Sequence, residues 1–331
     1  MLEPFPQFVA DLHTDLTAAD RLLCVDRGFA LGTFRARPSD AVFSGSYQLK
    51  CCYLVFPRTA SEIRLERGPA AVHTPLDVVA YNVGDSYRRF AVSATGDASD
   101  YIALDHAFVR GFLADEFGDL PQAGGDLLFN HFSSAQTRSL FLRQRRLFDR
   151  LLASPAVAAD AELINASAIR EESLELLLAA IGTGVAGPMR PPPLSASHQR
   201  AIAEDVKRQM SRRFCDKFDL DELAMLTGVS SGHLARIFRR QTGLSIHQFM
   251  IELRLRESLD LLLEMRSIAD VAAQLGFTHH SHFTAAFGKA FGTTPSAYIR
   301  AAPRRSGRRW LKDRLGAGRT ARIAEQAGKI A

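Results

Sequence analysis

One pattern is written twice between Asp219 and Ala301, so this region is constrained to fold as two similar helical units. The first copy reads LAMLTGVSSGHLARIFRRQTG from Leu223 to Gly243, and the second reads VAAQLGFTHHSHFTAAFGKAFG from Val271 to Gly292. Ala224, Gly228 and Val229 return 48 positions later as Ala272, Gly276 and Phe277. One extra residue in the second turn moves the offset to 49, pairing Leu234 with Phe283, Phe238 with Phe287, Gly243 with Gly292 and Phe249 with Tyr298. A register that holds through core, turn and exit marks a repeat.

Each copy has the parts of a helix-turn-helix: a short helix containing a small residue, a glycine at the turn, then a second helix. Ala224 and Ala272 permit close approach of the two helices, while Gly228 and Gly276 supply the positive φ that ends the first. Ser230 and Thr278 are the expected N-caps of the second helices. Helical spacing turns Leu234, Ile237 and Phe238 inward in copy one, and Phe283, Phe287, Ala290 and Phe291 in copy two. Gly232, Ala235, Arg236, Arg239 and Arg240 then face outward, as do His280, Ser281, Thr284, Ala285 and Gly288. Paired motifs of this kind mostly serve DNA, the plainer alternative being a helical bundle that packs on a partner.

On these residues the segment from about Ser195 to Ala302 resembles the DNA-binding domain of the AraC/XylS family of bacterial transcription regulators. The likeness takes in both motifs, the run GLSIHQFMIELRLRESLDLLL, similar to the family's linker helix, and GTTPSAYIR, similar to its closing motif. Ile246 departs from the family, which often has proline there, and Ala285 and Gly288 stand where basic or polar residues are common. The resemblance implies double-stranded promoter DNA and RNA polymerase as partners. It places Ser231, Gly232, Ala235 and Arg236 of copy one, and His280, Ser281, His282 and Ala285 of copy two, at the DNA. Arg236 suits guanine O6 and N7 or a phosphate, and Arg239 and Arg240 suit phosphate.

A linker helix from about Ser245 to Glu264, at ~1.5 Å per residue, is about 30 Å long. That approaches the ~34 Å between successive major-groove faces of a duplex. Its apolar positions Ile246, Phe249, Leu253, Leu255, Leu259, Leu262 and Leu263 are expected to bury against both subdomains.

Charge divides the chain the same way. Residues 1–190 hold 18 Lys+Arg against 23 Asp+Glu, whereas residues 191–331 hold 23 against 13. The basic half carries the motifs. Within it, the tail after Pro303 holds nine basic residues against Asp313 and Glu325, suited to nonspecific phosphate attraction or to plain solvation.

The fold expected is α+β: an N-terminal cupin-like β-barrel with flanking helices, then an all-α domain with two helix-turn-helix motifs joined by a long helix. The organisation read is a sensing or dimerisation domain over 1–183 (barrel about 21–105, helices about 106–182), a linker over 184–196, a DNA-binding domain over 197–302 and a basic tail over 303–331. Gly182 to Ser197 is rich in Gly, Pro and Ser, and Pro191 to Pro193 read as stiff spacer between separately folding domains. About eight short strands between Arg21 and Asp105 suggest a barrel or sandwich, with YQLKCCYLVF as one strand. By position before an AraC-like domain, the region is similar to the family's cupin-type sensing barrel. That likeness implies an unknown small-molecule effector and a homodimer joined by Leu140, Leu147, Leu151, Leu174, Leu177 and Leu178, unless those residues pack within one subunit.

Inside the barrel, Tyr53 and Tyr81 are candidates for lining a ligand pocket, with core filling as the default. Arg88 and Arg89 alternate faces, so one can point inward to a carboxylate. No cofactor or metal is expected: His73, His106 and His131 never take the spacing of a cupin metal site, and His279, His280 and His282 lack a completing cysteine or carboxylate. Cys24, Cys51, Cys52 and Cys215 suit a reducing cytoplasm, with the Cys51–Cys52 pair facing opposite ways. No 18-residue apolar run, phosphate loop or nucleophile elbow occurs. The reading is a cytoplasmic, non-enzymatic, ligand-responsive regulator, an activator on the family's habit. Its alternatives are a cupin-like enzyme fused to a DNA-binding domain and a ligand-free regulator whose barrel only dimerises.

Overall fold

The computed structural model describes residues 6–66, 70–93, 96–117, 129, 133–153, 159–185, 194–216, 219–265 and 267–301. The basic tail over 303–331, the Pro191–Pro193 spacer and His131 lie outside the described residues.

The N-terminal half begins with α1 (Pro6–Asp15) and continues through β1 (Asp20–Asp26), β2 (Phe29–Ala36), β3 (Ser46–Gln48), β4 (Cys52–Pro57), β5 (Ser61–Leu65), β6 (Ala70–His73), β7 (Asp77–Tyr81), β8 (Ser86–Ala91) and β9 (Asp97–Leu104). Helix α2 (His106–Phe117), strand β10 (Ser133–Ala135), α3 (Arg138–Ala153) and α4 (Ala159–Ala180) follow. The expected closed barrel gives way to two open antiparallel sheets, ordered β1-β2-β9-β4-β7-β10 and β3-β8-β5-β6.

The stretch expected as one strand, YQLKCCYLVF, is the reason the sheets part. It breaks between β3 in the smaller sheet and β4 in the larger. At the crossing, the Asp15 carboxylate accepts the amides of Lys50 at 2.8 Å and Cys51 at 2.9 Å. Those donors are thereby satisfied away from any ladder.

The larger sheet is buried on both faces, and the two-residue period of a strand sorts its side chains. Cys52, Leu54, Phe56, Val78, Ala80, Ile102 and Leu104 join the core under the helices, with Val109, Leu113, Leu140, Leu147, Phe148 and Leu177. Tyr53, Val79, Tyr81, Tyr101 and Ala103 join the core between the sheets, with Phe8, Phe34 and Ile63. Of the two readings left open for Leu140, Leu147 and Leu177, packing within the chain is the one seen: these side chains join this chain's own core, and Leu151 packs against it.

The C-terminal half is helical: α5 (Leu194–Arg212), α6 (Leu220–Thr227), α7 (Ser231–Thr242), α8 (Ile246–Met265), α9 (Ile268–Gln274), α10 (His280–Phe291) and α11 (Pro295–Ala301). Leu223, Ala224, Leu234, Ile237 and Phe238 form one core with Val206 and Met210 of α5 and with Phe249 and Leu253 of α8. Val271, Ala272, Phe283, Phe287 and Phe291 form the other, with Leu255, Leu259 and Leu262 further along α8. One helix thus contributes successive turns to both cores.

The polar side of α8 is buried as well. Arg254, Arg256, Glu257, Ser258 and Asp260 are each no more than 8% exposed, and of these Arg256 and Asp260 meet the N-terminal half, at Pro75 and Gln136 and at Arg145. Arg138 of α3 pairs with Glu252 and Arg145 with Asp260. Arg208 of α5 reaches Glu62 of β5 at 2.7 Å. The two halves are docked through charge pairs, of which Arg145–Asp260 is buried on both sides.

Candidate nucleic-acid interface

The two outward helix faces are built by capping and by amphipathic spacing. Asp219 caps α6 by accepting the Asp221 amide, and Gly228 closes the helix at φ 69°. Ser230 takes the N-cap position of α7, though its hydroxyl makes no capping bond. For α10 the expected cap is corrected: His279, not Thr278, holds the position, because the longer second turn carries extended backbone one residue further. Gly276 occupies that turn at φ +74°, where an added Cβ would lie 2.3 Å from the Cys215 carbonyl oxygen.

Arg254 fixes the second turn to the first unit. Its guanidinium donates to the carbonyls of Phe214 at 2.7 Å, Asp216 at 2.6 Å and Gly276 at 3.2 Å. A single buried side chain of α8 therefore ties the connection between α5 and α6 to the turn before α10. That contact gives the two helix-turn-helix units a common frame.

The expected inward residues Leu234, Ile237, Phe238, Phe283, Phe287, Ala290 and Phe291 are all buried. On α7, Gly232, Arg236, Arg239 and Arg240 are exposed, while Ser231 and Ala235 are half-buried. Ser231 donates its hydroxyl to the Asp221 carboxylate, bracing the start of α7 on α6. On α10, His280, Ser281, His282 and Ala285 are exposed, and His282 sets its ring edge-on to Phe277 at 5.7 Å between centroids. These faces stay open although the N-terminal half is docked. Lys289, exposed in the last turn of α10, adds a cation that motif reading passed over. The signal was present, since the repeat register pairs Lys289 with Arg240.

The ligand candidates of the N-terminal half separate. Arg88 points outward. Arg89 is buried, paired with Asp97 and stacked 4.2 Å over the Phe34 ring. Tyr81 lies near it, 5.3 Å from the Tyr87 ring, and the Tyr53 hydroxyl donates to Asp15 at 2.9 Å. Side chains fill the space between the sheets around these groups.

Cys51 and Cys52 do face opposite ways, one in each core. Burial pushes both thiols up, Cys52 to about 12, so neither is poised as a thiolate. Burial drives His73 down to about 3, leaving it neutral. Among the described residues no group of three or more His, Cys, Asp and Glu side chains is suited to a metal, and no helix is long and apolar enough to cross a membrane.

Two helix-turn-helix units on one connecting helix define the class of this half, and comparison with known proteins gives its kind. Residues 223–301 match the family model described as a helix-turn-helix domain. The Msm operon regulatory protein of Streptococcus mutans is 30% identical over 105 residues, 31% of this chain and 38% of its own length. The transcriptional activator RhaR of Pectobacterium atrosepticum is 40% identical over 70 residues, 21% of this chain and 25% of its own length. A Chromobacterium violaceum transcriptional regulator structure, described as having an AraC-type DNA-binding domain, is 26% identical and covers 31% of this chain and 96% of its own, at a TM-score of 0.30. The C-terminal segment is an AraC-type helix-turn-helix domain. The chain spans well under half the length of these two relatives.

Proposed function

We propose that this chain is a sequence-specific, DNA-binding regulator of transcription in which α7 and α10 each read a major groove. The observation that carries the reading is the pair of open helix faces joined by α8, whose 20 residues make about 30 Å at ~1.5 Å each. That length suits two readers on one side of a duplex. Arg236 contributes base readout through a fork that fits guanine, while Arg239, Arg240 and Lys289 grip phosphate. Copy two reads with His280, Ser281 and His282.

The regulator acts in the cytoplasm as an activator, as the RhaR relative is named to be, and engages RNA polymerase at its promoter. Its N-terminal half couples an effector to DNA by linkage: a small molecule that binds differently to two arrangements of the halves shifts their populations and so promoter occupancy. Selection from randomised duplexes by the full chain, at physiological salt, tests the reading. A consensus with two conserved patches about one helical turn apart supports it, and the absence of any consensus refutes it.

A further inference from the structure

The C-terminal half carries an apolar patch that neither of its cores uses. Among the described residues, the large apolar side chains left exposed are Val25, Val83, Leu220, Met225 and Leu226, and the last three share α6. Met225 is 77% exposed and Leu226 59%, more than either valine.

The patch is acidic as well as apolar. Asp221 and Glu222 stand one helical turn before Met225 and Leu226, so each apolar side chain lies beside a carboxylate. From the cap Asp219 through to Ala235 the chain has no Lys or Arg. Arg213 takes Glu222 at 2.7 Å. Among the described residues Asp219 and Asp221 are in no ion pair: Asp219 caps α6, and Asp221 accepts the Ser231 hydroxyl.

A duplex is not what such a face takes, since carboxylates repel phosphate. Nor does it suit a second copy, because three side chains fall far short of the ~800 Å² that each partner of a stable complex covers. A segment of the same chain needs less area, since its tether holds it at an effective concentration of about 1 mM.

The sequence beyond α11 supplies the complement. Trp310, Leu311 and Leu315 are set among Arg308, Arg309, Lys312 and Arg314, an apolar cluster rimmed by cations where α6 has one rimmed by carboxylates. Nine residues take the chain from Ala301 to Trp310 and fourteen to Leu315, about 30 and 48 Å when extended. A compact domain of roughly 100 residues is about 33 Å across, so the segment reaches α6.

We propose that the segment 308–315 docks on α6 of its own chain, with Trp310 and Leu311 on Met225 and Leu226 and the flanking cations beside Asp219 and Asp221. The first helix of a helix-turn-helix crosses the DNA backbone, so a basic segment held there brings its remaining cations to the phosphates next to α7. That consequence rests on the DNA-binding function proposed above, whereas the docking itself does not.

Fluorescence of the full chain, without DNA, tests the docking, because Trp310 is the only tryptophan. Its emission is expected to lie to the blue of that of the urea-unfolded chain, with acrylamide quenching at least ~3-fold weaker, the protection of a tethered segment docked most of the time. Met225→Lys with Leu226→Lys, changes at exposed positions, should return both readings to the unfolded values while circular dichroism stays unchanged. Arg308→Glu with Arg309→Glu, changes outside the described helices, should do the same even if the α6 variant fails to fold. A Trp310 as quenchable in the folded chain as in the unfolded one overturns the proposal, as does shielding that survives these variants. Shielding lost on dilution also overturns it, by placing the segment of a second copy on α6. If DNA selection fails while the shielding responds as expected, the docking is upheld and the DNA-binding reading falls.

Discussion

Arg145 on α3 grips Asp260 on α8 through two hydrogen bonds of 2.9 and 2.7 Å, with both side chains buried. The pair belongs to a wider knot: Arg58 reaches Asp100 at 2.5 Å, Asp149 at 3.1 Å and Asp260 at 3.8 Å. Burial works to lower Arg145, yet Asp149 and Asp260 hold it well above its ordinary value. The helix that joins the two helix-turn-helix units is therefore also the one the N-terminal half holds by charge.

Removing one partner leaves the others buried and unbalanced. Asp260→Ala should cost about 3–5 kcal/mol of stability, the range for breaking a buried pair. Urea denaturation checks the loss, and hydrogen exchange should quicken along α3 and α8 together. A loss below about 1 kcal/mol would mean that water already screens the knot.

Gly276→Ala tests the turn of copy two. The substitution meets a positive φ and the Cys215 carbonyl at once, and should destabilise the C-terminal half by about 1–3 kcal/mol. Gly228→Ala meets the same φ penalty with open space around it, so it should cost less. Equal losses at the two glycines would contradict the close contact.

His73 makes stability depend on acid. In the folded chain it stays neutral down to about pH 3, while the unfolded chain takes up its proton below its ordinary value of 6.5. The unfolded state then binds more protons, so this contribution is complete above about pH 6.5 and falls toward pH 3, by about 1.4 kcal/mol per unit. Between pH 7 and 5 the wild type should lose about 2 kcal/mol more than His73→Gln in urea titrations. Identical pH dependence in the two proteins would show that His73 is protonated when folded.

The cations of α7 should separate by role. Arg239→Ala or Arg240→Ala should weaken binding to all duplexes alike and lower the salt slope by about 1. Arg236→Ala should relax preference at one base position, at a cost of about 1–3 kcal/mol. If all three variants lower only the salt slope, copy one holds the backbone without reading sequence.

Much of the C-terminal half was legible because its information is local. A glycine at φ 69° in Gly228 and a buried triplet in Leu234, Ile237 and Phe238 follow from spacing within one motif. The exposed Arg236 and Ser281 follow from the same spacing, and Lys289 would have followed from carrying the repeat register one step further. Non-local pairings were not legible. Nothing in YQLKCCYLVF announces that Asp15 will take the Lys50 and Cys51 amides and split the strand between sheets. Nor does the pattern of α8 reveal that Arg256 and Asp260, polar residues on a helix, are buried by a domain more than 100 positions away in sequence. Leu140 and Leu147 illustrate the limit from the other side, since an amphipathic stripe fits a dimer or a core and only tertiary structure decides.

The most direct test of the account is a hydroxyl-radical footprint of the full chain on its selected duplex. Two protected patches on one face, about 10 base pairs apart, are predicted, with the patch under α7 weakened by Arg236→Ala and the patch under α10 weakened by Ser281→Ala. A single patch insensitive to changes in α10 would contradict two-headed reading.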